Sequence, residues 1–191
     1  MIVKINDAKH TTYKHKDQIK ALGFKFVKEG HSSYWTKDID SEEELLKIEM
    51  FCDKNKLAFL SPFTVRNGKY RKEFLEHYEP PYHCSYCGKT LNNDTLVVDH
   101  LIPVHLAQTS LKYRNKLRKS GCESVNDYKN LTASCGYCNS SKGKKTGFWI
   151  LRGKLGKSKT FWDIFRIINI ILIFLVFCLV FYYLNDVFSF V

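Results

Sequence analysis

Acidic side chains nearly vanish from the middle of this 191-residue chain, where residues 81–160 hold 4 Asp/Glu against 14 Lys/Arg. Residues 1–80 are close to balanced at 13 against 15, and residues 161–191 carry 2 against 1, so the net charge of +11 sits in one segment. Such an excess suits a polyanion held through its phosphates, with an affinity that falls steeply with salt. The N-terminus has no apolar signal-like stretch, and four of the seven cysteines are spaced for metal. Together these point to a reducing compartment and away from a disulfide scaffold. Basic residues in turn are missing after Arg166, which bears on orientation below.

The cysteines organise what is present. Cys84/Cys87 and Cys135/Cys138 form two Cys-x-x-Cys pairs. Each pair can chelate Zn²⁺ from a tight turn, and two pairs complete a closed tetrahedral site with no open position, so a zinc here is structural. Sites of this kind supply on the order of 10–16 kcal/mol of apparent folding free energy in small peptides. His83 adjoins Cys84, but four thiolates already suffice. Cys52, Cys122 and Cys178 lack partners at useful spacing and read as ordinary thiols.

Between the pairs, Thr95 to Val98 is β-branched and apolar and reads as a short buried strand delivering Asp99 and His100 at its end. A carboxylate beside an imidazole, followed by Pro103, is a candidate metal ligand next to a candidate base. Asn130 to Ser134 reads as a second strand, and Cys138 to about Gly147 as a short helix carrying Asn139, Lys142, Lys144 and Lys145. His105 reads as a loop or packing histidine.

The pieces CSYC, VVDHLIP, NDYKNLTASCGYCN and SKGK, in that order over about sixty residues, resemble the HNH endonuclease family. The resemblance implies a ββα-metal finger, a β-hairpin packed on a helix with a catalytic divalent ion between them. It makes His100 the general base and Asn130 the residue that orients its imidazole. Asp99 and Asn139 become ligands of a catalytic Mg²⁺ or similar ion, the last family position being Asn here rather than His. Oxygen donors of that kind suit a hard cation. The family implies DNA cleavage leaving 5′-phosphate ends, with RNA also open as substrate. One departure is the long interval from His100 to Asn130, which holds the basic run Lys112 to Lys119. We read it as a surface insertion whose Arg114, Lys116 and Arg118 join Lys142, Lys144 and Lys145 as DNA-backbone contacts.

Residues 1–60 read as a small α+β module. Strands are expected at Ile2–Ile5, Phe24–Val27, around Tyr34–Thr36 and at Leu57–Leu60, with helices at Lys14–Leu22 and from Ser41 to about Asn55. Ser41 followed by Glu44 is a capping box. The run from Tyr13 to Ile39 is loosely similar to small modules attached to DNA enzymes, which implies an accessory DNA-associated domain; Trp35 and the two Phe also fit a plain core. Residues 61–83 read as a linker, with turn signals at Ser61-Pro62 and Asn67-Gly68 and stiffening at Pro80-Pro81.

From Ile167 to Leu184 the chain runs apolar with Asn169 as its one strongly polar residue. Extended back to Phe161 this makes roughly 36 Å of helix, enough for a hydrocarbon core of about 30 Å. Residues 148–160 form a basic juxtamembrane linker suited to an anionic surface, lipid or DNA, and residues 185–191 a short tail. Arg166 can snorkel, and Trp162, Tyr182 and Tyr183 sit where interfacial aromatics are expected. The basic flank before the span places the N-terminal side in the cytoplasm. The expectation is an α+β, zinc-stabilised HNH endonuclease over residues 84–147, tethered through a C-terminal transmembrane helix over 161–184. It needs Zn²⁺ and a catalytic divalent ion and no small-molecule cofactor. The alternative is a membrane-anchored zinc-knuckle adaptor that binds nucleic acid or a partner without cutting.

Overall fold

The computed structural model describes residues 1–189, with side-chain environments through residue 184. The tail expected over residues 185–191 therefore lies outside the residues whose side chains are described.

Alternating apolar residues in the first strand set the N-terminal module. In β1 (Ile2–Asn6) Val3 and Ile5 point to one face and are fully buried. A 3-10 turn (Thr12–His15) leads into α1 (Lys16–Ala21), then β2 (Lys25–Glu29), β3 (Ser32–Asp38), α2 (Glu42–Asn55) and β4 (Ala58–Leu60). The strands form an antiparallel sheet in the order β2-β3-β1-β4, with Ile5 opposite Trp35 and Trp35 opposite Phe26. Ser41 caps α2 by accepting from the Glu44 N–H at 3.1 Å, and the three acidic residues that follow it favour the positive end of the helix. Ile19 and Ile48 from the helices close the core over Val3, Ile5, Phe24 and Trp35. Phe24 and Trp35 are thus core, whereas Phe26 is 56% exposed.

Residues 61–83 are not a linker. Thr64 is buried in a turn, bonding back to Ser61 and Phe59, and the chain then forms α3 (Tyr70–His77) and β5 (Tyr82–His83). Phe74 of α3 packs with Tyr82, Tyr86, Leu91 and Leu96, so this segment forms one wall of the second core.

That core is built on β6 (Thr90–Leu91), which pairs with β5, and on the antiparallel pair β7 (Val97–His100) and β8 (Leu131–Ser134). Asp99 lies opposite Thr132 and His100 opposite Leu131, so the two are the last residues of β7 and both belong to the ladder. Asn130 belongs to a 3-10 turn before β8. The helix after the second Cys pair is α6 (Gly136–Lys142). It starts from Cys135, ahead of the expected Cys138, and stops at Gly143, whose φ of +46° turns the chain away. Lys144 and Lys145 consequently follow the helix.

The long interval between β7 and β8 folds into α4 (Val104–Thr109) and α5 (Leu111–Lys119). Leu117 and Ala107 bury against Ile102, Val125 and Ile150. α5 also packs on α2, so this segment docks the N-terminal module rather than standing free on the surface.

Residues 148–160 pack through Ile150, Gly153 and Gly156, with Lys154 and Lys159 exposed and Arg152 and Lys157 half-buried. They contain α7 (Phe148–Leu155), in which a Cβ on Gly153 would lie 2.5 Å from Leu101 Cδ2 and 2.7 Å from Tyr86 Cε1, so only glycine allows this approach. α8 (Lys159–Ser189) begins docked: Trp162 is 4% exposed against Gly88, and Arg166 Nη2 donates to the Gly88 carbonyl at 2.9 Å. From Ile167 to Leu184 its apolar side chains are exposed, and over Lys159–Leu184 it is long and apolar enough to cross a membrane.

Candidate functional site

The four sulfurs of Cys84, Cys87, Cys135 and Cys138 lie within 4.8 Å of one another. A tetrahedral ion with bonds of about 2.3 Å asks for sulfurs roughly 3.8 Å apart, so the cluster can hold a metal of zinc's size and softness. Local backbone bonds shape each pair. The Gly88 N–H donates to the Cys84 carbonyl at 2.8 Å, with Gly88 at φ +72°, and the Cys138 N–H reaches Cys135 Sγ at 3.5 Å. The Ser85 N–H donates to the Ala133 carbonyl at 2.9 Å, tying the first pair to β8. Burial pushes the Cys87 and Cys138 thiols up, a cost that a bound cation removes. His83 lies outside the cluster.

The cluster holds α6 across β7, and the residues between them form the site. Lys142, 1% exposed, places its ammonium 2.8 Å from Asp99 Oδ2 and donates to the His100 carbonyl at 2.7 Å. Tyr86 donates its hydroxyl to the same Oδ2 at 2.6 Å. Burial, then the Asp99 charge, hold the Tyr86 phenol well above its ordinary range, so it stays a donor. Asp99 Oδ1 makes no hydrogen bond among the described residues. Asn139 precedes Lys142 by three positions and therefore shares the helix face turned to β7. Its half-buried amide has no hydrogen-bond partner among the described residues. A carboxylate oxygen and an amide oxygen are the donor types that a hard cation takes.

His100 is 6% exposed, with its ring 5.1 Å from that of Tyr70. Asn126 donates through Nδ2 to the Val65 carbonyl at 2.8 Å, which turns its Oδ1 toward His100 Nε2 at 3.4 Å. The neutral imidazole therefore carries its proton on Nε2 and leaves Nδ1 as the basic nitrogen. Burial pushes the His100 pKa down to about 4; the Asn126 bond and Asp99 oppose this, and Arg66 and Lys142 add to it. Arg66 stacks over Tyr70 and donates to its hydroxyl, so a guanidinium lies beside the imidazole.

Several expected roles change. Asn130 does not touch the imidazole: its Oδ1 accepts from the Ile102 N–H at 2.9 Å, and its Nδ2 donates to Ile102 and Val125 carbonyls at 3.2 and 2.8 Å. It locks the loop that leaves β7, and Asn126 is the residue facing His100. Lys142 has no free face for DNA, because Asp99 and the His100 carbonyl use its ammonium. Arg114 is fully buried, with Nε 3.2 Å from Glu49 Oε1, and donates to the Ala107 and Gln108 carbonyls. Arg118 grips both Glu49 oxygens at 2.7 and 2.9 Å. Both arginines serve the join between α5 and α2. Lys116, Lys144 and Lys145 are exposed, as a phosphate contact requires. His105 is half-buried on α4, its pKa lowered by burial and then by Lys144 and Lys142. Of the other thiols, Cys52 and Cys122 are buried and Cys178 is exposed on α8.

The sequence reading missed Tyr86, Tyr70, Arg66 and Asn126. Tyr86 stood between two metal-spaced cysteines, and Asn126 four residues before Asn130, but only the fold brings them to the site. Comparison of the chain with protein-family models, curated proteins and solved structures returns no match.

Proposed function

We propose that this chain is a metal-dependent endonuclease of the HNH type, held at a membrane by α8 with its globular part in the cytoplasm. The observation that carries the reading is the pair on β7. A buried neutral imidazole with a free Nδ1 and a carboxylate with a free oxygen follow one another at the end of β7, and Lys142 of α6 bonds the carboxylate and the His100 backbone carbonyl next to the four-cysteine cluster.

Phosphodiester hydrolysis needs water deprotonated in line with the leaving oxygen. His100 Nδ1 takes that proton, and Asn126 Oδ1 holds the ring and accepts from Nε2–H as positive charge develops. Lys142 and Tyr86 hold Asp99 in place through its Oδ2. Asp99 and Asn139 are the residues that would hold a divalent ion, which would supply Lewis-acid stabilisation of the charge developing on the phosphate. Lys116, Lys144 and Lys145 offer exposed charge to the DNA backbone. The basic residues before α8 and their absence after Arg166 support the cytoplasmic orientation. A nuclease so placed meets DNA as it enters the cell.

A second reading, a non-catalytic membrane-anchored adaptor, is favoured by one observation: Asp99 Oδ2 already has two partners, Tyr86 and Lys142, as a purely structural carboxylate would. Supercoiled plasmid incubated with the full chain in detergent micelles, with and without Mg²⁺ or Mn²⁺, separates the two. Ion-dependent nicking or linearisation that Asp99→Ala abolishes supports the nuclease. Retention of DNA without any cutting assigns the adaptor.

A further inference from the structure

The N-terminal module is electrically polarised along its sequence. Residues 9–29, which run through α1 and β2, carry six Lys and two acidic residues, whereas residues 38–55, which run through α2, carry seven acidic residues and two Lys. On the basic side the sheet leaves a groove. Phe26 pairs with Trp35 across the ladder and so points to the helical face, but β2 is the edge strand and Phe26 stays 56% exposed among the described residues. The groove encloses about 430 Å³ between Tyr13, Lys16 and Lys20 on one side and Phe26 and Ser33 on the other, with Trp35 as its floor.

Its chemistry is specific. Tyr13 is 72% and Phe26 56% exposed, unusual for two large aromatics on one small module. Phe26 is already braced against Trp35, with ring centroids 5.2 Å apart. Tyr13, Lys16 and Lys20 follow at steps of three and four along the 3-10 turn and α1, so they face the same way, and the Lys16 ammonium lies 4.8 Å from the Tyr13 ring. The one acid in the lining, Asp7, has its carboxylate engaged by the Thr12 N–H at 2.7 Å. Rigid aromatic faces flanked by ammonium groups are what a chain of exposed bases joined by phosphates requires, because every base offers a π-face and every link an anion. A duplex keeps its bases stacked inside and cannot use such faces. An acidic peptide would use the lysines and leave the aromatics idle.

We propose that this groove binds single-stranded nucleic acid, stacking bases on Phe26 and Tyr13 and holding phosphates with Lys16 and Lys20. The site is separate from the β7–α6 pair and does not rest on the nuclease reading. It gives the chain a means of selecting strands that are unpaired.

The test is fluorescence anisotropy of the full chain in detergent micelles, carrying His100→Ala so that no probe is cut, with labelled oligo-dT and a hairpin duplex of equal length. The expected result is tighter binding of oligo-dT and a tenfold or greater loss of that binding in Tyr13→Ala/Phe26→Ala, with duplex binding unchanged. Lys16→Ala/Lys20→Ala should weaken oligo-dT binding and flatten its salt dependence. Both aromatics are exposed, so the variants should keep the parent's thermal unfolding temperature, measured alongside. Oligo-dT binding untouched by the aromatic pair, preference for the duplex, or tighter binding of a poly-Glu peptide than of oligo-dT would each overturn the proposal.

Discussion

Asn126 turns its side-chain oxygen toward His100 Nε2 at 3.4 Å, while its amide nitrogen is held by the Val65 carbonyl. This contact joins the loop after α5 to β7 and decides which imidazole nitrogen is basic. It also gives the orienting role to a residue four positions from the one the family resemblance suggested. Asn126→Asp places a carboxylate at that contact and should raise the His100 pKa by about 1–3 units. Asn130→Ala, whose amide bonds only backbone groups, should instead lower stability by about 3 kcal/mol and move the pKa little. Imidazole titration by NMR distinguishes them; an unchanged His100 pKa in Asn126→Asp would refute the contact.

Burial of His100 makes stability depend on pH. The unfolded chain takes up the imidazole proton near 6.5 and the folded chain only near about 4. Between those values the unfolded state holds more protons, so stability rises with pH and is lost as pH falls through the window. The loss should approach 3 kcal/mol on the order-of-magnitude scale of 1.36 kcal/mol per unit. Urea titrations at pH 4.5 and 7 should show this slope in the parent and a flatter one in His100→Gln.

Glu49 is the buried counter-charge for Arg114 and Arg118, and it sits on α2 while they sit on α5. Glu49→Gln leaves a fully buried guanidinium without its anion and should cost about 3–5 kcal/mol. Because the pair joins the N-terminal module to the rest, thermal unfolding should also lose cooperativity. An unfolding temperature within a degree of the parent would contradict this account of the interface.

Removing metal from the cysteine cluster should loosen more than the two cysteine turns. Trp162 packs on Gly88, the residue after Cys87, and Arg166 bonds its carbonyl. Chelation should therefore raise hydrogen exchange in residues 84–100, 131–143 and 159–166 together, leaving β1 and β4 protected. Exchange confined to the cysteine turns would show that α8 docks independently of the cluster.

Much of the fold was legible because its signals are local. Ser41 and Glu44 announced α2, alternating Val3 and Ile5 announced β1, and two Cys-x-x-Cys spacings announced the cluster. Side-chain partners set by distant contacts were not. Arg114 looked like a phosphate contact in a basic run, yet it lies three residues from both Leu111 and Leu117, on the apolar stripe of α5. Lys142 likewise follows Cys138 by four residues, on the face the cluster buries. In both cases the helical spacing held the warning, and the charge drew attention away from it. Asn126 carried no such sign, since only tertiary packing sets it beside His100.

The central claim is tested most directly by plasmid cleavage with the full, zinc-loaded chain in detergent micelles and Mg²⁺ or Mn²⁺, set beside His100→Ala. The account predicts that the parent cuts and that the variant cuts about 10²–10⁴-fold more slowly while retaining its zinc. Undiminished cutting by His100→Ala, or no cutting by the folded parent on any of several DNA and RNA substrates, would contradict it.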